Sequence, residues 1–406
     1  MSAYSTLLKI PGVGRIIAAQ LTARLPSGML SLAFLMHVEQ VTGRYADAGL
    51  VLAATSIGQA VAGPLTSRWM GRWGMRRVLL LTVIVCTIDV AAFALLPLTT
   101  PLYMILGCIA GLLTPPVQSA VRTIYPKIVP SSQLTPLFSL DASAQEIIWV
   151  FGPVMTTFIA TQISTTWGIL VPVIFLIGGG LWFSFSPEVA RVRIPRSRRT
   201  LGAVLRKPPV LMSIVIGFLL IGATAAVEAG TVATFGHDGF EAGIVLAIFS
   251  LGSLVGGLGF GHKPVGPWSL ARRMLVIFVG LAAAMAILNV WWLSIALLIA
   301  GLGVAPVFAA TFAIVSSSVK FSDTAEAYGW VSTGQLMGAA LGSASAGILI
   351  DMQGPIGAFC ASAGFAGAAV IVSVIGLRWL PDLRNRPIGP MPDTEPIPVQ
   401  PGSMPG

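Results

Sequence analysis

Apolar and polar positions alternate along this chain on a long scale. Predominantly apolar runs of roughly 18–25 residues recur, each long enough to cross a bilayer as a helix. They lie at about 15–38, 46–68, 78–97, 101–123, 136–160, 167–186, 210–234, 241–260, 273–290, 292–316, 326–350 and 356–379, which makes twelve spans. Lipid offers the backbone no hydrogen-bond partners, so these runs must be helical. The gap after span 3 is residues 98–100, and the gap after span 9 is barely a turn. Helices joined so tightly are antiparallel neighbours.

Composition adds an orientation. The chain is 55% apolar and only 10% charged, with a net charge of +9 and a mean hydropathy of +0.87. Of the 24 Lys and Arg, all but Arg24 and Arg44 fall at the termini or at the even-numbered gaps and their edges. Short basic loops stay on the cytoplasmic side. Both termini are therefore expected in the cytoplasm and the protein in the cell membrane, with lipid as its principal partner. The basic charge is accounted for by topology, and no nucleic-acid partner is expected. Cys86, Cys108 and Cys360 lie in apolar spans with no metal-ligand spacing and read as small core residues. The first apolar run lacks a small-residue cleavage site and does not read as a signal peptide.

The longest internal gap carries Arg191, Arg193, Arg196, Arg198, Arg199, Arg206 and Lys207. It divides the chain into a bundle at 1–186, a basic cytoplasmic linker at 187–208, a second bundle at 209–380 and a Pro-rich tail at 381–406 that is expected to be disordered or extended. The two bundles resemble each other. Span 2 aligns with span 8 at an offset of 194, pairing Gly49/Gly243, Ser56/Ser250, Gly58/Gly252 and Gly63/Gly257. Spans 4 and 10 align at 190, pairing Gly111/Gly301 and Pro116/Pro306, and spans 5 and 11 keep that offset with Gln145/Gln335 and Gly152/Gly342. Parallel repeats of six helices predict a pseudo-twofold axis along the membrane normal and a site between the halves.

The loop after span 2, GPLTSRWMGRWGMRRVLL at 63–80, carries a more specific signal. With the twelve spans, the basic centre and the repeat, it makes the chain resemble transporters of the major facilitator superfamily over residues 10–380. The family pattern in that loop is G-x-L-x-D-R-x-G-x-R-R. Arg72, Gly74, Arg76 and Arg77 match it, while Gly71 replaces the Asp that latches the halves on the cytoplasmic side. The resemblance implies an all-α integral membrane fold, two six-helix bundles, alternating access and no enzymatic activity. Its drug and metabolite efflux branch is suggested by Gly152-Pro153 in span 5, the surviving centre of an antiporter motif.

Polar groups at membrane depth are costly and mark candidate sites. Arg24 lies about 14 Å into span 1, just before Pro26-Ser27-Gly28, a predicted break. Span 1 lines the cavity in the family, so Arg24 either binds an anionic group, neutralises a buried carboxylate such as Glu146, or snorkels as a structural residue. Asp141 and Gln145 are four apart and share a face of span 5, and Glu146 lies about 100° further round. Glu146, near the midplane, is the candidate for loading and releasing a proton; for Asp141 the alternative is pairing with Arg122. Glu228 in span 7 falls where the family places part of the outer gate. Gln335 in span 11 is a candidate hydrogen-bonding group for substrate. Asp89 in span 3 reads as a carboxyl hydrogen-bonded to a neighbouring helix. Gly334, Gly338, Gly342 and Ala346 form a small-residue stripe that predicts a close helix contact serving the rocking of the halves.

No P-loop is present, and no metal-ligand or nucleophile–base cluster is visible. The energy source is expected to be a proton gradient, with no cofactor. The expected protein is a monomeric exporter of small, partly lipophilic molecules. Proton-coupled uptake of a small metabolite, anionic if Arg24 binds it, is the first rival, and a non-transporting membrane sensor or scaffold the second.

Overall fold

The computed structural model describes residues 3–195, 200–235, 240–384 and 388–393. Helix α1 (Ala3–Leu8) precedes a first membrane element broken in two, α2 (Val13–Arg24) and α3 (Leu30–Thr42). Pro26 sits in the intervening 3-10 turn, where Ser27 Oγ donates to the Arg24 carbonyl at 2.6 Å. The predicted break is real, and it ends α2 on Arg24. Helices α4 (Tyr45–Trp73) and α5 (Met75–Leu95) follow. Gly74 joins them at φ +92, a conformation that favours glycine. The fourth element is also broken, into α6 (Thr100–Leu112) and α7 (Val117–Ile128), by Pro115-Pro116. Helices α8 (Ser131–Gln162) and α9 (Thr165–Phe185) complete the first half, and the short α10 (Pro187–Arg191) opens the linker.

The second half contains α11 (Pro208–Phe235), α12 (Phe240–Phe260), α13 (Ser269–Ala284), α14 (Val290–Ser318), α15 (Phe321–Gln353) and α16 (Pro355–Ile375). Counting each broken pair once gives the twelve expected elements. Nine of them, among the described residues, are individually long and apolar enough to cross a membrane. The other three are the interrupted α2–α3, the polar α8 and the short α13. Ile84, Ile88, Ile174, Ile371 and Ile375 lie exposed on the outside of α5, α9 and α16, as lipid-facing positions do.

The internal repeat appears as repeated packing. In the first half Gly58 of α4 lies against the Cys108 carbonyl of α6, and Gly111 of α6 against the Thr55 carbonyl of α4. In the second half Gly252 of α12 lies against the Leu298 carbonyl of α14, and Gly301 against that of Phe249. These four contacts are related by the same offsets of 194 and 190. The glycines persist because the backbones come too close for a Cβ.

The stripe on α15 plays a different part from the expected one. Gly334, Gly338 and Gly342 meet Ile214, Phe218 and Gly222 of α11, so the contact is internal to the second half. It stiffens that half as a unit. The close approach between halves is made by Gly63 of α4 and Gly329 of α15: a Cβ on Gly63 would stand 2.7 Å from the Gly329 carbonyl oxygen.

The halves meet on one side. Among the described residues, the polar bonds that join them lie at mid-helix or towards the ends that carry the termini. Thr333 Oγ1 donates to the Ala60 carbonyl at 2.8 Å, Ser139 Oγ to that of Gly257 at 2.6 Å, and Arg68 Nη1 to Glu326 Oε2 at 3.0 Å. Phe138 packs against Phe312 and Tyr328 on the same side. The seam is shut on the terminal side.

The chain flanking the bundles is docked onto this shut side. Arg15 pairs with the buried Glu188 at 2.5 Å. The linker backbone at Gly202 donates to Glu326 Oε1 at 2.7 Å. The tail runs extended beside the start of α15, where Phe321 N donates to the Met391 carbonyl (3.1 Å) and Met391 N to that of Val319 (2.9 Å). Arg196, Arg198 and Arg199 of the linker and His237 lie outside the described residues.

Candidate functional site

The polar residues at membrane depth separate into two groups, because α8 presents them on two faces. Asp141 and Gln145, one turn apart, point into the first half; Glu146 points to the seam.

Asp141 is fully buried and heavily bonded. Its Oδ1 accepts from Gln20 Nε2 (3.1 Å), Arg24 Nη1 (3.3 Å) and Tyr125 Oη (3.1 Å). Its Oδ2 accepts from Arg122 Nε at 3.1 Å. Arg24 Nη1 also donates to Gln20 Oε1 at 2.8 Å. Gln145 Oε1 accepts from Arg24 Nη2 and, at 3.5 Å, from Arg122 Nη2. The Gln118 side-chain oxygen, in the amide orientation that satisfies both groups, accepts from Arg122 Nη1 (2.6 Å) and Nη2 (2.9 Å). The Phe312 ring of α14 lies 3.4 Å from Arg122 Cζ, so this guanidinium also stacks on the other half. Burying ions is tolerable only with such complete pairing. The pairing balances hydrogen bonds but not charge: two guanidinium groups face one carboxylate.

Of the alternatives open to Arg24, the pairing with Glu146 is not formed. Arg24 neutralises Asp141, and Glu146 accepts a 2.8 Å hydrogen bond from Ser253 Oγ of α12, across the seam. Ser250, a turn away on α12, faces the same carboxyl group, and Glu228 of α11 lies near enough for its charge to act on it. Glu146 is half-buried and the Glu228 side chain more exposed. Neither has a basic partner among the described ion pairs. Two elements of the second half, α11 and α12, thus converge on Glu146 of α8 in the first.

Gln335 stands apart from both groups. It rests against α11 at Gly217, and its buried amide nitrogen has no hydrogen-bond partner. Gly152 packs on the backbone of Gly28, so Gly152-Pro153 seats α8 against the break in the first element. Asp89 is buried in α5, and its Oδ2 lacks the hydrogen bond expected from a neighbouring helix. Among the aromatic residues of α8 and α14, Trp149 and Phe151 are exposed on α8, whereas Phe308 and Phe312 are buried in a stack with ring centroids 5.7 Å apart.

The motif loop is organised around Gly74. Arg72 and Arg77 are exposed, and Arg76 lies over the Phe185 ring at 4.3 Å. A Cβ on Gly71 would stand 3.5 Å from the Pro195 carbonyl, so the residue replacing the family Asp lies where the linker crosses. The charge latch is supplied elsewhere, by Arg68 and Glu326. Sequence reading missed this pair, along with Ser253 and Tyr125. Arg68 and Glu326 are 258 residues apart, so no local spacing could have joined them.

A family model described as the Major Facilitator Superfamily matches residues 16–288 and 233–401. The chain belongs to the major facilitator superfamily, whose members are membrane transporters of small molecules rather than enzymes. Among curated proteins, none matches the chain significantly. Several solved structures share its fold. The human organic anion transporter MFSD10 superposes with a TM-score of 0.70 at 14% identity, covering 89% of this chain and 100% of its own. A bacterial homologue of the iron transporter ferroportin, in an outward-facing state, gives 0.71 at 13% identity, covering 90% and 98%. The E. coli fucose:proton symporter gives 0.67 at 13%, also covering 90% and 98%. At such identities the likeness is one of fold.

Proposed function

We propose that this protein is a secondary active transporter that exports small, partly lipophilic molecules in exchange for protons, by alternating access. In this reading it resides in the cell membrane with both termini cytoplasmic, since the docked terminal side carries the basic loops. The shut terminal seam then makes the structure outward-facing.

One observation carries the reading: Glu146 of the first half is held by Ser253 of the second, at mid-membrane, beside Glu228. A carboxyl group whose hydrogen bond spans the moving seam changes surroundings whenever the halves rock. Its proton affinity then differs between the two open states, which is the requirement for coupling. Gly152-Pro153, shared with antiporter motifs, favours export, and the packing of Gly152 on Gly28 ties the Glu146 helix to the break beside Arg24.

Inverted membrane vesicles acidified inside test the direction. Under export they accumulate substrate and right-side-out vesicles do not. Accumulation only by right-side-out vesicles under an inward proton gradient would establish uptake instead. Absence of any solute flux in proteoliposomes would leave a non-transporting membrane protein.

A further inference from the structure

The cluster around Asp141 carries an unbalanced positive charge inside the first half. Arg24 is 8% exposed, Arg122 and Asp141 are fully buried, and Asp141 is the carboxylate within salt-bridge distance of either arginine among the described residues. Both Asp141 oxygens already accept, three donors on one and one on the other. Glu146 is turned away to Ser253. An uncompensated guanidinium at membrane depth is expensive unless something else supplies the missing charge.

The position where that charge belongs is marked by Gln145. Its side-chain oxygen accepts from Arg24 Nη2 and lies 3.5 Å from Arg122 Nη2, so one neutral oxygen sits between the two guanidinium groups. Gln145 is half-buried, unlike Gln20, Arg24, Arg122 and Asp141, and adjoins Glu146 at the seam. Arg122 is enclosed by Asp141, Gln118 and the Phe312 ring. Arg24, at the end of a helix broken by Pro26, is the guanidinium with accessible surface. A negatively charged oxygen replacing that of Gln145 would receive charge-assisted hydrogen bonds from Arg24 and Arg122 and bring the cluster to neutrality.

We infer that Arg24 and Arg122, with Gln145 as the displaceable acceptor, form the docking point for an anionic oxygen group of the transported molecule: a carboxylate, sulfonate or phosphate on a partly apolar body. This rests on the transport reading and names the substrate class for it. Glu146 and Glu228 then carry the protons while the arginines hold the anion, so the two functions are separated by one step along α8.

The test uses the full chain in lipid nanodiscs, with naphthalene-2-sulfonate as probe and trimethyl(2-naphthyl)ammonium as the cation of the same aromatic body. Equilibrium dialysis should give saturable sulfonate binding, with the ammonium compound at least about tenfold weaker. Arg24→Gln should weaken the sulfonate by about tenfold or more and Arg24→Lys by less. Gln145→Glu, which builds in the missing charge, should abolish binding and raise the thermal midpoint. Absence of saturable binding, equal affinity for the cation, or binding that survives Arg24→Gln or Gln145→Glu would overturn the inference. A fall in midpoint for Gln145→Glu would contradict the charge argument itself. Binding needs no gradient, so its failure is distinct from that of the transport reading. Saturable sulfonate binding without gradient-driven flux would count against the transport reading alone.

Discussion

Glu146 and Ser253 form a 2.8 Å hydrogen bond between the two halves of the molecule, near the middle of α8 and α12. A second bond across the seam, from Arg68 to Glu326, closes the terminal side. The first places a titratable group where the halves separate. The second holds them together in the state observed. The energetics of the two differ, and so do the expected effects of removing them.

The latch is partly exposed at Arg68 and buried at Glu326, with 30% and 5% of the side-chain surface accessible. Removing Arg68 leaves the Glu326 carboxylate with the Gly202 amide among its partners. Arg68→Ala should shift the equilibrium towards opening of the terminal side by about 1 kcal/mol. Cysteine cross-linking between α4 and α15 on that side should slow correspondingly. Additive effects of Arg68→Ala and Glu326→Gln would mean the pair is not coupled.

Two sets of glycines predict two different failures. Gly338→Val forces α15 off α11 inside the second half and should lower the thermal midpoint and the yield of folded protein. Gly63→Val wedges the seam between α4 and α15. It should leave each half intact while disfavouring closure on the terminal side. Thermal unfolding separates the cases: a loss of stability for Gly63→Val as large as that for Gly338→Val would make the Gly63 contact ordinary core packing.

Asp141 is the negative charge between two buried guanidinium groups. Asp141→Asn should destabilise the protein by about 3 kcal/mol, the cost of leaving a buried charge unpaired. Removing one positive charge as well should restore part of that loss. The Asp141→Asn, Arg24→Gln double variant is therefore expected to unfold at a higher temperature than Asp141→Asn alone. Equal or lower stability of the double variant would show that Arg24 contributes through packing rather than charge.

Much of this architecture was legible in the sequence. The break after Arg24 followed from Pro26, and the matched contacts of Gly58 and Gly252 from the constant repeat offset. Helical periodicity also put Asp141 and Gln145 on one face and Glu146 on another. Periodicity could not say which of those faces meets the second half, and so it could not choose the carboxylate that Arg24 neutralises. The role of the α15 stripe was misassigned for a similar reason, since a small-residue face shows that a helix approaches closely but not which one. The Arg68–Glu326 latch depends on how the two bundles dock and leaves no trace at the spacing of a single helix.

In the proposed mechanism the proton state of Glu146 biases which side of the seam is open. It can be measured without knowing the transported molecule. Spin labels at Trp73→Cys and Trp268→Cys, with native cysteines replaced, report separation on the terminal side; labels at Val41→Cys and Ala233→Cys report the other. Glu228, Ser250 and Ser253 face Glu146, with the Arg24–Asp141 cluster a turn away, so Glu146→Gln is measured alongside Glu228→Gln. Double electron–electron resonance from pH 5.5 to 8.5 should show a reciprocal shift of the two distance distributions in the wild type. In Glu146→Gln that response should be lost or sharply reduced. A pH response in Glu146→Gln equal to that of the wild type would remove Glu146 from the coupling mechanism.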